Sequence, residues 1–254
     1  MTEDSLPNPT PRAKAKINPA FSALSTILTV ALVLATLFTL WTPANLFSNQ
    51  MLDNFFQAWQ ANPTLTMPTP TPSPRPRIGI VAGHWGNDSG SVCTDGLTEM
   101  SINLELATRV QQQLLAEGYE VDLLQEFDEK LYDYQALALV SIHNDSCDYV
   151  NDEATGFKVA AAASSAYPEK ADRLAACLTD RYGKTTGMSY HAFTVTEDMT
   201  QYHTFREINT NTTAAIIETG FLNLDRRILT EQPDLVAQGV TNGILCYIKN
   251  QPVP

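Results

Sequence analysis

Three apolar segments of this chain each lead into a residue that can bind a metal or carry a proton. The run 78–81 precedes Gly83 and His84, the run 136–142 precedes His143, and the run 214–217 precedes Glu218. A fourth candidate, Glu99, opens a helical segment one loop after His84. In an open α/β sheet, ligands bind beyond the carboxyl ends of the strands. Two imidazoles and a carboxylate that converge there would form a three-ligand zinc site with an open position.

Each candidate also has an ordinary structural interpretation. A histidine at a strand end is more often a satisfied polar side chain than a metal ligand. Glu99 can be an acid that is favoured by the positive end of a helix dipole. Glu218 is more informative, because a carboxylate directly after four apolar residues is costly to bury without a cation, a hydrogen-bond network or a catalytic role.

The segments around these residues alternate between strand and helix patterns. Apolar runs predict strands over residues 78–81, 121–124, 136–142, 156–163 and 214–217. Apolar residues at helical spacing predict helices over residues 99–117, 168–182 and 233–249. Such strands, separated by helices, indicate a mostly parallel sheet covered on both faces. Residues 77–254 are therefore predicted to form a single α/β domain, for which their length is suitable.

The charge distribution divides the chain into two unlike parts. The 254 residues carry a net charge of −12, which argues against a nucleic-acid-binding protein, because such proteins show a basic face. Residues 1–77 hold three acids and five bases, whereas residues 78–254 hold 25 acids and 11 bases. Only 17% of all residues are charged, which is low for a wholly soluble protein, in which about a quarter is usual.

The front part contains a long uncharged segment. Residues 20–41 are 22 mainly apolar residues, enough as a helix to cross a hydrocarbon core of about 30 Å. The bases Arg12, Lys14 and Lys16 precede this segment, so the positive-inside rule places residues 1–19 in the cytoplasm. The segment is thus predicted to be a transmembrane signal anchor; a cleaved signal peptide is the alternative.

A proline-rich stretch separates this segment from the α/β domain. Within it, residues 62–76 alternate Pro with Thr and Ser, which favours an extended tether. Residues 42–76 are therefore predicted to be an extracytoplasmic linker. With the anchor, this places the domain 77–254 on the outer, cell-wall side of a single-pass membrane protein.

Three segments of the domain carry motifs that occur together in one enzyme family. They read IGIVAGHWGNDSGSVCTDGLTEMSINLELATRV, LVSIHNDS and AAIIETGFLNLDRRIL. The first segment resembles the opening of that family, in which a strand leads to Gly-His-Gly, then a loop, then a Glu at the start of a helix. The second resembles the family's strand that ends in Ser-Ile-His. The third resembles the family's Val-Glu-Thr-Gly-Phe segment. In order and spacing they are similar to the zinc-dependent N-acetylmuramoyl-L-alanine amidases, and the resemblance covers about residues 77–250.

The resemblance implies a role for each candidate. His84, Glu99 and His143 would bind Zn²⁺, and Glu218 would be the catalytic acid and base. Arg206 falls where the family often has an Arg shortly before the last strand, and a plain surface position is an equal alternative for it.

The sequence departs from the family pattern beside these residues. Val81 and Ala82 replace the usual Asp-Pro, Trp85 replaces a Gly, and Asn144 replaces an Ala. We interpret these changes as altering the shape of the site and its fit to substrate. Asn144 is therefore a candidate substrate contact, together with Arg206.

The implied reaction is hydrolysis of the amide bond between N-acetylmuramic acid and the L-Ala of the peptidoglycan stem peptide. Zinc would activate the attacking water, and Glu218 would carry its proton to the departing amine. Two alternatives are a catalytically inactive peptidoglycan-binding module and a zinc carboxypeptidase on a related fold. The predicted partners are peptidoglycan and the membrane, without nucleic acid, and a monomer is expected.

The four cysteines all lie on the side predicted to be outside the membrane, where disulfides often form. Cys93 follows His84 and Cys147 follows His143, so both loops should border the same site. We therefore predict a bridge between Cys93 and Cys147, with zinc binding by these cysteines as the alternative. Cys177 and Cys246 could pair or remain free thiols.

Two further histidines, His191 and His203, fall in the polar segment 187–212. We predict surface or substrate-rim positions for them rather than metal ligation.

Overall fold

The computed structural model describes residues 19–41 and 75–254. The chain divides into two units, with the boundary between Thr71 and Pro72. Residues 1–18 and 42–74 lie outside the described residues, and with them the predicted cytoplasmic tail except residue 19 and nearly all of the predicted linker.

The first unit contains helix α1, Pro19–Trp41, which covers the predicted uncharged helix. Within it, the hydroxyl of Thr36 donates to the carbonyl oxygens of Leu32 and Val33 at 3.0 and 2.9 Å. Among the described residues, none of the helices combines the length and the apolarity that a membrane crossing requires. The transmembrane anchor stays a prediction of the sequence.

Five strands of the second unit form one mixed sheet with the order β2-β1-β3-β5-β4. They are β1 Arg77–Ala82, β2 Glu120–Leu124, β3 Ala138–Asp145, β4 Lys158–Ala161 and β5 Thr213–Phe221. The strands β2, β1, β3 and β5 are parallel to one another, and the edge strand β4 runs antiparallel to β5. The prediction of a mostly parallel α/β sheet is confirmed. The sequence analysis did not predict that the edge strand β4 is antiparallel.

The described part of the second unit contains six α-helices besides the sheet. They are α2 Glu99–Ala116, α3 Pro168–Thr186, α4 Glu197–Thr200, α5 Thr204–Glu207, α6 Arg226–Glu231 and α7 Pro233–Ile248. The three long helices match the predicted ones. The short helices α4 and α5 lie in the polar segment 187–212, for which the sequence predicts no helix, and α6 lies between β5 and α7, where the sequence makes no prediction.

Both faces of the sheet are buried, but by different kinds of structure. On one face, the sheet residues Ile80 and Ile142 share a core with Leu106 of α2, Leu174 of α3 and Val240 of α7. The opposite face packs against single-turn helices and loops, through the buried side chains Leu131, Tyr134, Met199, Phe205 and Ile208. The sheet is therefore covered on both sides, as predicted, with its long helices on one side.

Candidate active site

His84 lies two residues after β1 and one residue after Gly83. Its backbone has a φ of +66°, a left-handed conformation that is uncommon for a residue with a side chain. The imidazole Nδ1 lies 2.6 Å from Oδ1 of Asp88, and Nε2 lies 3.1 Å from Oε1 of Glu99. Asp88 therefore fixes the ring so that Nε2 points to Glu99. The hydrogen bond with Glu99 is the largest of the effects that raise the pKa of His84 to about 9, against the lowering effect of burial.

Glu99 is the first residue of α2, directly after the N-cap residue Thr98. Its carboxylate is buried and accepts hydrogen bonds from the backbone N–H of Ser91 at 3.1 Å, from Nδ2 of Asn103 at 3.2 Å and from the backbone N–H of Asn144 at 3.3 Å. Burial by itself raises the pKa of this carboxyl, but the neighbouring histidines outweigh burial and lower it well below its usual range. Glu99 is therefore ionised at any physiological pH.

His143 lies near the carboxyl end of β3, and its side chain is buried. Its Nδ1 lies 3.2 Å from Oε1 of Glu99, the same oxygen that faces His84. The ring packs directly on Gly83, where a Cβ atom would lie 2.2 Å from the imidazole. A glycine is therefore required before His84 so that the two histidines can approach each other.

The three predicted metal ligands lie together. One ligand atom from each of His84, Glu99 and His143 falls within 4.8 Å of the others. Two ligands of a tetrahedral zinc ion, each bound at about 2.0–2.1 Å, are roughly 3.3 Å apart, which is close to the 3.1 and 3.2 Å between the Glu99 oxygen and the two ring nitrogens. Two imidazoles and one carboxylate are also a donor set of catalytic zinc sites. The residues present therefore fit zinc.

Glu218 lies beside this group, in register with His143 on the neighbouring strand β5. In the part of the chain that the structure describes, its Oε2 is buried without a hydrogen-bond partner. Burial, together with the charges of Glu99 and Asp145, raises the pKa of Glu218 to about 7, against the opposing effects of His143 and Lys158. This carboxyl can therefore both take up and release a proton near neutral pH.

The two candidate substrate contacts lie in different surroundings. The side chain of Asn144 is buried, donates to Oδ1 of Asn103 at 2.7 Å and accepts from the hydroxyl of Thr219 at 2.5 Å. Arg206 is exposed in α5 and donates to Oε1 of Gln201 at 3.0 Å. Asn144 thus links β3, α2 and β5 beneath the site, and a substrate contact for either residue stays a prediction.

Glu126 is a buried residue of the site that the sequence analysis missed. It accepts hydrogen bonds from the backbone N–H of His84 and from the hydroxyl of Tyr202, and it lies 2.9 Å from Nε2 of His203. A signal for it was present, because Glu126 follows β2 just as His84 follows β1, at the same edge of the sheet. Tyr202 carried no such signal, because its segment has no strand or long helix.

The four cysteines form two disulfide bonds. Cys93 is bonded to Cys147 and Cys177 to Cys246. The first bridge was predicted, and it joins the loop before Glu99 to the loop after His143. The second joins α3 to α7, which the sequence had left open.

The remaining two histidines lie outside the group His84, Glu99 and His143 that could hold a metal ion. His191 lies 2.6 Å from the hydroxyl of Thr194 and borders a cavity of about 450 Å³. His203 is half-buried, with its ring stacked on Phe127 at 4.2 Å between centroids. That neither histidine ligates a metal stays a prediction, and His203 is partly exposed while it packs against Phe127.

Comparison with known proteins connects this arrangement to one family. The N-acetylmuramoyl-L-alanine amidase family model matches residues 78–246. A comparison with curated protein sequences gives no match.

Three solved structures of similar fold have sequence identities below 25% to this chain. An N-acetylmuramoyl-L-alanine amidase, AmiC2, of Nostoc punctiforme is 23% identical with a TM-score of 0.53, covering 68% of this chain and 97% of its own. The CwlD amidase from Clostridioides difficile, solved in complex with the GerS lipoprotein, is 19% identical with a TM-score of 0.57, covering 69% and 100%. An N-acetylmuramoyl-L-alanine amidase from Clostridium difficile 630 is 21% identical with a TM-score of 0.55, covering 71% and 100%. At these identities, the likeness shows a shared fold.

Proposed function

Because the chain belongs to the N-acetylmuramoyl-L-alanine amidase family, we propose that it is a zinc-dependent enzyme that cleaves the amide bond between N-acetylmuramic acid and L-Ala of the stem peptide. The observation that supports this proposal is the convergence of His84, Glu99 and His143 on one point, with the proton-binding carboxyl of Glu218 in the adjacent register position. A binding module without activity would not need the raised pKa of Glu218.

The residues that would hold zinc are His84, Glu99 and His143. When bound, zinc would polarise the scissile carbonyl and lower the pKa of the attacking water. Glu99 supplies the negative charge of the ligand set, and its hydrogen bonds from Asn103 and Asn144 hold the carboxylate in place. The contact with Asp88 directs Nε2 of His84 toward the same point.

Glu218 is the residue to which we assign proton transfer. Its carboxylate would accept a proton from the attacking water and then donate that proton to the nitrogen of the departing L-Ala. A pKa of about 7 suits both steps, because the group then gains and loses a proton at comparable cost. The same carboxyl therefore serves first as a base and then as an acid.

The cavity of about 450 Å³ is the place that we assign to the peptide part of the substrate. It is lined by Asp145 of β3, Lys158 of β4 and Phe221 of β5, and by residues of the segments 150–154 and 191–196. Lys158 pairs with Asp145, and its ammonium lies 5.0 Å from the centroid of the Phe221 ring. The cavity thus offers both charged groups and an aromatic surface, which suit a peptide with polar and apolar parts.

The test compares Glu218→Gln with the unchanged full chain on purified peptidoglycan. We expect the variant to keep its zinc and to lose activity by at least about 100-fold, because general acid–base catalysis contributes about 10²–10⁴-fold. Glu231→Gln is the matched control, since it changes an exposed glutamate that pairs with Arg227 and should leave activity unchanged. Equal turnover by Glu218→Gln and the unchanged chain would refute the assignment.

Mass spectrometry of the products separates the proposed reaction from its alternatives. An amidase releases intact stem peptides with a free L-Ala amine and leaves the glycan uncut. A carboxypeptidase instead shortens the stem peptide from its carboxyl end, and a binding module releases nothing. Metal analysis of the same preparation then tests for zinc.

We further propose that the domain works outside the cytoplasmic membrane, with residues 20–41 as its anchor. Support comes from the two disulfides, since such bonds persist mainly in oxidising compartments, and from the bases that precede residue 20 in the sequence. Protease added to spheroplasts, from which the wall and any outer membrane have been removed, should digest the domain if it faces outward. Protection until the cytoplasmic membrane is lysed would refute this location.

A further inference from the structure

Glu126 is linked by hydrogen bonds to both histidines of the proposed metal site, His84 and His143, on the side away from Glu99. It is 5% exposed and follows β2, whose neighbour in the sheet is β1. Its Oε2 accepts the backbone N–H of His84, and its Oε1 accepts the hydroxyl of Tyr202 at 2.7 Å. Both oxygens of this carboxylate are therefore engaged by the site rather than by solvent.

Tyr202 completes the connection to the second histidine. Its hydroxyl oxygen lies 3.3 Å from Nε2 of His143, and the two rings meet edge to face with centroids 5.3 Å apart. An ionised carboxylate can only accept hydrogen bonds, so the hydroxyl of Tyr202 must donate its proton to Glu126. The oxygen of Tyr202 then has free lone pairs, and it accepts the N–H of Nε2 from His143.

This direction of hydrogen bonds selects the tautomer of His143 that can bind a metal through Nδ1, in place of the Nδ1–H form that can donate to Glu99 in the metal-free site. A neutral imidazole carries one proton, and placing it on Nε2 leaves the lone pair of Nδ1 free. Nδ1 is the nitrogen that lies 3.2 Å from Glu99. The ring is thus oriented with its metal-binding nitrogen toward the other two ligands.

The bond from Glu126 to His84 acts on the backbone instead. A left-handed backbone conformation is unfavourable for a residue other than glycine, so surrounding contacts must maintain it. The φ of +66° at His84 is accompanied by the hydrogen bond from its N–H to Glu126. Asp88 holds the ring of His84, while Glu126 holds the main chain from which that ring projects.

We propose that Glu126 is a positioning residue that sets the geometry of both histidine ligands, directly at the backbone of His84 and through the hydroxyl of Tyr202 at the ring of His143. This inference rests on the metal site of the proposed function. A carboxylate that orients a ligating histidine raises metal affinity by restricting the ring to one tautomer and direction. Here one carboxylate does so for two ligands, one that follows β1 and one that lies on β3.

Glu126 itself is not a member of the ligand group. Its Oε2 lies 3.9 Å from Nε2 of His143, on the opposite side of the ring from the nitrogen that faces Glu99. The other oxygen, Oε1, lies 2.9 Å from Nε2 of His203 and also accepts the hydroxyl of Tyr202. The carboxylate thus contacts His84 and His143 on the side away from the point where the metal would bind.

The experiment measures zinc affinity of the metal-free full chain by competition with a chromophoric chelator. Glu126→Gln should weaken zinc binding by about 10- to 100-fold, the range typical for outer partners of ligating histidines. Tyr202→Phe removes a single oxygen and should weaken binding by about tenfold, at the lower end of that range. Tyr247→Phe is the matched control, because it removes a hydrogen bond of 2.8 Å to Thr213 away from the site, and its affinity should equal that of the unchanged chain.

A second measurement distinguishes positioning from general stabilisation. Co²⁺ loaded in place of zinc has a visible absorption spectrum that responds to ligand geometry, so both site variants should shift it and Tyr247→Phe should not. A lower melting temperature of the metal-free variants, with unchanged zinc affinity and unchanged Co²⁺ spectrum, would overturn the inference. Tyr202→Phe keeps the test decisive if Glu126→Gln does not fold. If the unchanged chain itself binds no zinc, the proposed function fails as well, which separates the two failures.

Discussion

Glu99 and Glu218 are two glutamates at the same edge of the sheet, and they have opposite electrostatic surroundings. Glu99 faces two histidines and accepts hydrogen bonds from both backbone and side-chain donors. Glu218 sits on the adjacent strand with its Oε2 buried and, among the described residues, unpartnered. The pKa of Glu99 is accordingly held below its usual range, whereas burial raises that of Glu218 to about 7.

In the proposed function, one residue type serves two roles a short distance apart, and the difference in surroundings is what would separate them. A carboxylate that stays ionised can hold a cation, and a carboxyl that titrates near neutrality can transfer a proton. Neither property belongs to glutamate as such. His143 and His84 outweigh burial at Glu99 and lower its pKa, while burial, together with the negative charges of Glu99 and Asp145, raises the pKa of Glu218.

The largest expected effect is the loss of zinc affinity when the charge of Glu99 is removed. Glu99→Gln should lower zinc affinity by more than about 100-fold, beyond the 10- to 100-fold loss typical for residues that only orient a ligand, because the site loses its negatively charged ligand. Glu218→Gln should bind zinc as the unchanged chain does. Chelator competition on both variants measures the contrast, and an equal loss of affinity in both would mean that the two carboxyls share one role.

The smaller expected effect concerns stability of the metal-free protein. The pKa of Glu218 rises from 4.5 in the unfolded chain to about 7 in the folded one, so the folded state binds more protons between these values. Stability therefore falls as the pH rises from about 4.5 to 7, because the folded protein must then hold a buried charge. Glu218→Gln removes this cost and should stabilise the metal-free chain at pH 8 by on the order of 1–3 kcal/mol, a shift of a few degrees in melting temperature.

Melting curves at pH 5 and pH 8, recorded after removal of metal, check this expectation. The advantage of Glu218→Gln should be large at pH 8 and nearly absent at pH 5. Glu231→Gln, which changes an exposed carboxylate, should show no such dependence. A stabilisation of equal size at both pH values would point to packing rather than to the buried charge.

The sequence alone was sufficient to place the four central residues at one edge of the sheet. Apolar runs predicted the strands that end near His84, His143 and Glu218, and parallel strands bring their carboxyl ends together. The bridge between Cys93 and Cys147 followed from the same placement, since both loops leave that edge. These inferences hold because hydrophobic periodicity is a local property that the sequence displays directly.

The antiparallel edge strand and the distribution of helices were beyond reach of the same reasoning. An apolar run predicts that β4 is a strand, but its direction depends on the loop path from β3 and on pairing with β5. Likewise, the short helices α4 and α5 are too brief for a periodic pattern to mark them. Their positions depend on packing against the sheet through residues such as Met199 and Phe205.

What the sequence determined by itself is the set of chemical groups and the edge of the sheet at which they meet. What only the tertiary structure decided is how each group is held: the support of two histidines by Glu126 and Tyr202, the burial of Asn144 within a hydrogen-bond network, and the opposite pKa shifts of Glu99 and Glu218. Strand ends follow from local apolar patterns, whereas hydrogen-bond partners separated by tens of residues are set by the packing of side chains in three dimensions.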